Sequence, residues 1–102
     1  MAVKDYQKQV DEWITEETSG YWEPHEILAR LMEEVGELSR EINHRFGPKK
    51  KKTTEGENEL GDEIADIIFT LVGFASSQNI DIDKHFKRMM KKLNSRDKDR
   101  WK

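Results

Sequence analysis

The chain is predicted to be all-α, an antiparallel helical bundle of about four helices. Apolar side chains recur at helical spacing in four segments, glycine, proline and asparagine fall between those segments, and no run shows the alternation of a strand. Short links between the first two segments and between the last two favour helices packed side by side.

The first helix sets Val3, Tyr6, Val10, Trp13 and Ile14 at helical spacing over about four turns, and Thr18-Ser19-Gly20 ends it. Pro24, with its fixed φ and missing N–H, suits the first turn of the second helix. There Ile27, Leu28, Leu31, Val35, Leu38 and Ile42 form one apolar stripe that runs to Gly47-Pro48. Residues 47–58 contain no apolar side chain, two glycines and the run Lys49 to Lys52, so a mobile loop is expected. The third helix places Leu60, Ile64, Ile67, Ile68, Leu71 and Ala75 on one side and Glu59, Asp62, Glu63 and Asp66 on the other, ending at Asn79. Asp81 or Asp83 can cap a fourth helix carrying Ile82, Phe86, Met89, Met90 and Leu93. Beyond it, Asn94 to Lys102 is polar apart from Trp101.

By length, residues 1–102 form one domain, and 34% hydrophobic against 38% charged residues leaves little material for a private core. An oligomer is therefore expected. The lack of cysteine excludes disulfides, thiolate nucleophiles and zinc–thiolate sites, and fits a reducing compartment, with the cytoplasm as the default. Met1 to Val10 has no signal-peptide pattern, and the weakly charged stretch Ile67 to Gln78 falls short of the roughly 20 residues a membrane span needs. No membrane partner is expected. Charge is uneven: residues 1–46 hold 5 basic and 11 acidic side chains, whereas 84–102 hold 9 and 2. Such a basic tail can mark nucleic-acid binding, but it lacks interleaved aromatics and the body is acidic, which argues against that partner.

Two acidic signatures carry the chemistry. Glu34-Val-Gly-Glu37 and Glu63-Ile-Ala-Asp66 each hold two carboxylates three residues apart, which are neighbours on a helix surface. Acids on helices usually make a solvated face, and Glu33, Glu41, Glu59 and Asp62 are read that way. Asp66 differs: Phe69, Thr70 and Gly73 follow on its azimuth without further charge, so this side is expected to be covered and Asp66 buried. A buried carboxylate among others needs a compensating cation or a proton. Oxygen ligands without histidine or cysteine select Mg²⁺, with Mn²⁺ as substitute, and Mg²⁺ recruits substrate phosphates.

Glu33-Glu34-Val-Gly-Glu37-Leu38, then Glu63-Ile-Ala-Asp66-Ile-Ile, trailed by Asn79-Ile-Asp-Ile, resembles the all-α nucleoside triphosphate pyrophosphohydrolases of the MazG type. That family's pattern is ExxE, a variable spacer, then ExxD, and the resemblance runs from Pro24 to about Leu93. It implies Mg²⁺-dependent hydrolysis of nucleoside triphosphates, whether ribo, deoxy or non-standard, between the α and β phosphates. It implies metal-ligand and catalytic roles for Glu34, Glu37, Glu63 and Asp66, and a homodimer often doubled to a homotetramer. Glu59-Leu-Gly-Asp62 is a second ExxD one turn earlier and a rival register; the apolar run after Asp66 favours Glu63 and Asp66.

Substrate binding needs cations and a flat apolar surface. Related enzymes resemble this chain in carrying basic residues after the last helix, which selects Lys92, Arg96 and Arg100 for phosphate, while Lys49 to Lys52 suits an electrostatic lure. Trp22, beside Tyr21 before Pro24, is the stacking candidate for a base; Trp13 is read as core, and Trp22 and Phe74 as interface residues. His25 and His44 lack ligand-like spacing and His85 sits in a basic stretch, so all three are read as surface. Phosphoribosyl-ATP hydrolysis and a non-enzymatic helical oligomeric module are the alternatives.

Overall fold

Local signals in the chain set where each helix starts and stops. The structure, a computed structural model, describes residues 3–48 and 57–97, with side chains from Leu60 to Ser95 in the second segment. It contains α1 (Val3–Glu17), α2 (Pro24–Phe46), α3 (Glu57–Ser77) and α4 (Ile82–Lys92), followed by one π turn, Leu93–Asp97, that the sequence pattern does not announce. The lysine run, Arg100 and Trp101 lie outside the described residues.

Thr18 closes α1 by donating its hydroxyl to the Ile14 carbonyl, and Gly20 then turns the chain at φ +120°, which a side chain would resist. At the start of α2 the Glu26 carboxylate accepts the Glu23 N–H at 3.0 Å, satisfying an orphan donor, and Pro24 occupies the first turn as expected. Gly47 ends α2; its N–H bonds the Asn43 carbonyl, and a Cβ there would lie 2.4 Å from that oxygen, so only glycine fits. Asn79 leaves α3 at φ +57°, and of the two candidate caps it is Asp81 that accepts the Lys84 N–H of α4.

α3 is the central element, packed on one side by α2 and on another by α1, while α4 rests against α1. Gly73 lets α1 approach closely, with Ile14 Cδ1 only 3.3 Å from where a Cβ would stand. Gln7 ties the α3–α4 turn to α1 by donating to the Ile80 carbonyl at 2.6 Å and accepting the Ile82 N–H at 3.2 Å. Among the described residues the buried apolar ones are Ile27, Val72 and Ala75, joined by Thr70 and Glu34. No described helix is long and apolar enough to cross a membrane.

Two helix faces differ from expectation. On α2 the single apolar stripe divides: Ile27, Leu31, Glu34, Leu38, Glu41 and Arg45 are buried or half-buried, whereas Leu28, Met32, Val35, Ile42 and Phe46 are exposed. On α3, Leu60, Glu63, Ile67, Thr70 and Phe74 are covered, while Ile64, Ile68 and Leu71 are exposed. The acids of α3 therefore do not all point away from its apolar side. Opposed carboxylates occupy inner positions of both helices, so part of the apolar surface is left outside. Trp13, expected in the core, is 52% exposed and meets Phe69 edge-on at 5.9 Å.

Candidate active site

The site grows from the interface of α2 and α3. Both helices are continuous through the acidic signatures, so Glu34, Glu37, Glu63 and Asp66 project from regular helix rather than loop. Glu34 is only 9% exposed. Its Oε1 accepts from Arg30 Nε at 2.8 Å, one turn earlier, and its Oε2 is buried without a hydrogen-bond partner. A buried oxygen left without a partner is costly.

Glu63 faces it from α3. Its carboxyl is pushed above the ordinary glutamate value of 4.5, first by loss of solvent, then by the charges of Glu37, Asp66, Glu34 and Glu41. The structure thus brings the four sequence-predicted acids into one electrostatic neighbourhood and adds Glu41, which was read as solvated face but is half-buried and reached by Arg45 at 3.3 Å. Asp66 is exposed, contrary to the expectation that it is the buried acid. It sits on the flank of α3, where Ile67 and Thr70 take the interior and the Thr70 hydroxyl bonds the Asp66 carbonyl at 2.9 Å. The buried acid is Glu34.

Among the described residues no three carboxylate or imidazole groups stand close enough to form a closed metal centre. The donor chemistry nevertheless fits a hard divalent cation. Glu34 offers a buried, unpartnered oxygen, and acids on two packed helices repel one another across a space without histidine or cysteine. Glu33 and Asp62 are exposed, as expected of solvated acids, and Glu59 lies outside the described side chains.

Trp22 is 44% exposed at the head of α2, and the Arg30 guanidinium lies 4.6 Å over its ring. Arg30 thus links the stacking candidate to the buried acid. The sequence reading did not single it out, although Arg30 and Glu34 at i and i+4 would have shown it. Trp13, Tyr21, Trp22, Ile27, Phe69 and Phe74 are among the residues lining a cleft of about 40 Å³, room for a few waters but not for a base. Tyr21 bonds the Asp11 carboxylate there, and burial, that bond and the Asp11 charge push its hydroxyl up to about 12. Lys92 is exposed on α4 near His85, Arg88 and Ser95; Arg96 falls in the π turn with its side chain outside the description, as is Arg100.

The MazG nucleotide pyrophosphohydrolase domain matches residues 22–101. YpjD of Bacillus subtilis is 48% identical over 100 residues, covering 98% of this chain and 90% of that protein. The crystal structure of YpjD superposes with a TM-score of 0.84 at 43% identity, covering 93% of this chain and 97% of the other. A second crystal structure, of a Bacillus-conserved MazG protein that is a nucleotide pyrophosphohydrolase, gives a TM-score of 0.78 at 38% identity over 97% of this chain and 96% of that one. A four-helix fold, a pair of facing ExxE and ExxD signatures and these likenesses coincide: the chain belongs to the MazG nucleotide pyrophosphohydrolase family.

Proposed function

We propose that the protein hydrolyses nucleoside triphosphates, ribo, deoxy or non-standard, to nucleoside monophosphate and pyrophosphate in the presence of Mg²⁺. The observation that carries this reading is the opposition of Glu34 and Glu37 on α2 to Glu63 on α3, whose carboxyl is raised by loss of solvent and then by the charges of Glu37, Asp66 and Glu34. In this reading Glu34, Glu37, Glu63 and Asp66 hold Mg²⁺, or Mn²⁺ in its place. The bound ion supplies charge neutralisation on the phosphates and a more acidic water.

The chain's own residues do the rest. One of the four carboxylates orients the attacking water and accepts its proton. Trp22 offers an indole face to the base, and Lys92, Arg96 and Arg100 approach the phosphates, where a cation lowers the cost of charge building on the leaving pyrophosphate. The whole chain acts as one domain in a cytoplasmic homodimer or homotetramer. The exposed row Leu28, Met32, Val35, Ile42 and Phe46 supports self-association, because a surface of this kind needs a cover.

The test is a panel of ribo-, deoxyribo- and modified nucleoside triphosphates, with phosphoribosyl-ATP included, incubated with Mg²⁺ and scored for pyrophosphate. Pyrophosphate release from a nucleoside triphosphate is the expected result. Orthophosphate alone, or no turnover on any member, refutes it.

A further inference from the structure

We propose that Arg30 is an exchangeable counter-ion: its guanidinium neutralises Glu34 while the carboxylate cluster is empty of metal, and competes with a divalent cation for that carboxylate. The inference rests on the reading of Glu34 as a metal ligand and goes beyond it by naming the group that competes for that ligand. Glu34 is nine-tenths buried, its Oε1 is held by Arg30 Nε at 2.8 Å, and its Oε2 has no hydrogen-bond partner. One oxygen thus carries a replaceable partner, and the other stands ready for one that the chain does not provide.

Two features make Arg30 suited to exchange rather than to permanent pairing. Its side chain is 44% exposed while that of Glu34 is 11% exposed, so the guanidinium can return to water at small cost but the carboxylate cannot. In the same conformation its guanidinium already lies over the face of Trp22, 4.6 Å from the ring centroid. That contact keeps the cation near the site after it lets go of Glu34. A divalent ion and a guanidinium on one carboxylate repel each other, so each weakens the hold of the other. Arg30 then sets the affinity for metal, and the released guanidinium stays at the head of α2 where a nucleotide would arrive.

The experiment measures binding of Mn²⁺ alone, without nucleotide, by titration calorimetry and by thermal denaturation, on wild type, Arg30→Gln, Arg30→Lys and Glu34→Gln, each first checked for helicity. Arg30→Gln is expected to bind Mn²⁺ about two- to fivefold tighter, the range a partly exposed ion pair is worth. It is also expected to melt lower than wild type in chelator and to gain more from Mn²⁺. Arg30→Lys, which keeps the charge, is expected to stay near wild type, and Glu34→Gln to lose most of the affinity. Should Arg30→Gln lose helicity, Arg30→Met, which keeps an unbranched stem against Trp22, takes its place. Equal or weaker Mn²⁺ binding by the neutral variant overturns the exchange while leaving the metal reading intact. Mn²⁺ binding by Glu34→Gln as tight as wild type removes the competing ligand and the proposal with it, without touching the hydrolase reading. No Mn²⁺ binding by wild type or by any variant overturns both.

Discussion

Glu34→Gln separates stability from activity, and its sign follows from two oxygens. Wild-type Glu34 holds a charge at 9% exposure, with Arg30 on Oε1 and nothing on Oε2. The amide keeps the shape and can still accept from Arg30, so the loss there is that of a partly exposed i,i+4 ion pair, about 0.5 kcal/mol. The gain is the removal of a buried charge that Arg30 compensates on one oxygen only and that Glu63 repels, for which the cost of one unsatisfied group, about 1–3 kcal/mol, is the scale. The variant is therefore expected to be more stable than wild type by about 1 kcal/mol in chelator, a rise in Tm of roughly 5 °C for a domain of this size. With Mg²⁺ the order should narrow or reverse if Glu34 is a ligand as proposed, because only wild type then keeps all four carboxylates. Pyrophosphate release should fall by about two orders of magnitude or more, the loss expected when charge stabilisation at a reacting centre is removed. Paired melting curves with chelator and with Mg²⁺, alongside the hydrolysis assay, read all three. A variant less stable than wild type in chelator would refute the reasoning, since Glu34 would then be a satisfied structural group.

Asp66→Asn should abolish pyrophosphate release with helicity by circular dichroism unchanged, because the side chain is exposed and supports no packing. For Glu63, the folded carboxyl is raised above 4.5, so the folded state holds a proton that the unfolded state has released; its stabilisation is present below 4.5 and is lost as pH rises through the raised value. Glu63→Gln should accordingly gain stability relative to wild type as pH is raised from 4 through 7, checked by urea unfolding at each pH. Tyr21 has its value raised from 10.0 to about 12, so by the same sign its contribution is intact below 10.0 and declines as pH rises toward 12; Tyr21→Phe should show a flatter decline over that range. Gln7→Ala removes both bonds to the α3–α4 turn and should cost about 1–2 kcal/mol, with faster hydrogen exchange at the Ile82 amide.

Helix positions were legible because their signals are local. Pro24, Gly47, Asn79 and Asp81 each act within a turn of where they stand, and all four mark the boundaries observed. Glu34, Glu37, Glu63 and Asp66 were legible as a pattern for a related reason, since i and i+3 spacing is fixed by helix geometry. Which of them is buried was not legible. Asp66 was expected inside on the strength of the residues that follow it, but covering depends on the azimuth at which α2 meets α3, and that is settled by residues far apart in the chain. The same distance effect hid the division of the α2 stripe: Val35 and Leu38 are equally apolar, and only docking against α3 makes one exposed and the other half-buried. Family membership, in turn, sets aside the plain helical adaptor that the composition alone allowed.

α2 links these properties, because its two rows are offset by one residue along the whole helix. Ile27, Leu31, Glu34, Leu38, Glu41 and Arg45 form the inner row, and Leu28, Met32, Val35, Ser39, Ile42 and Phe46 the outer one, each following an alternating four–three step. Leu28, Met32 and Phe46 are 58%, 69% and 70% exposed. A radius of gyration of 16.6 Å, against about 13 Å for a compact chain of this length, agrees with a protomer that buries little against itself. With Ile27, Val72 and Ala75 as the buried apolar side chains among the described residues, the chain has small reserves against the repulsion of the inner-row acids. Covering the outer row and neutralising the inner row therefore act on the same helix, and each lowers the cost of holding α2 where the other needs it. If the chain assembles and binds a cation as proposed, the two are expected to reinforce one another through α2, read as tighter Mn²⁺ binding at protein concentrations where sedimentation shows the oligomer.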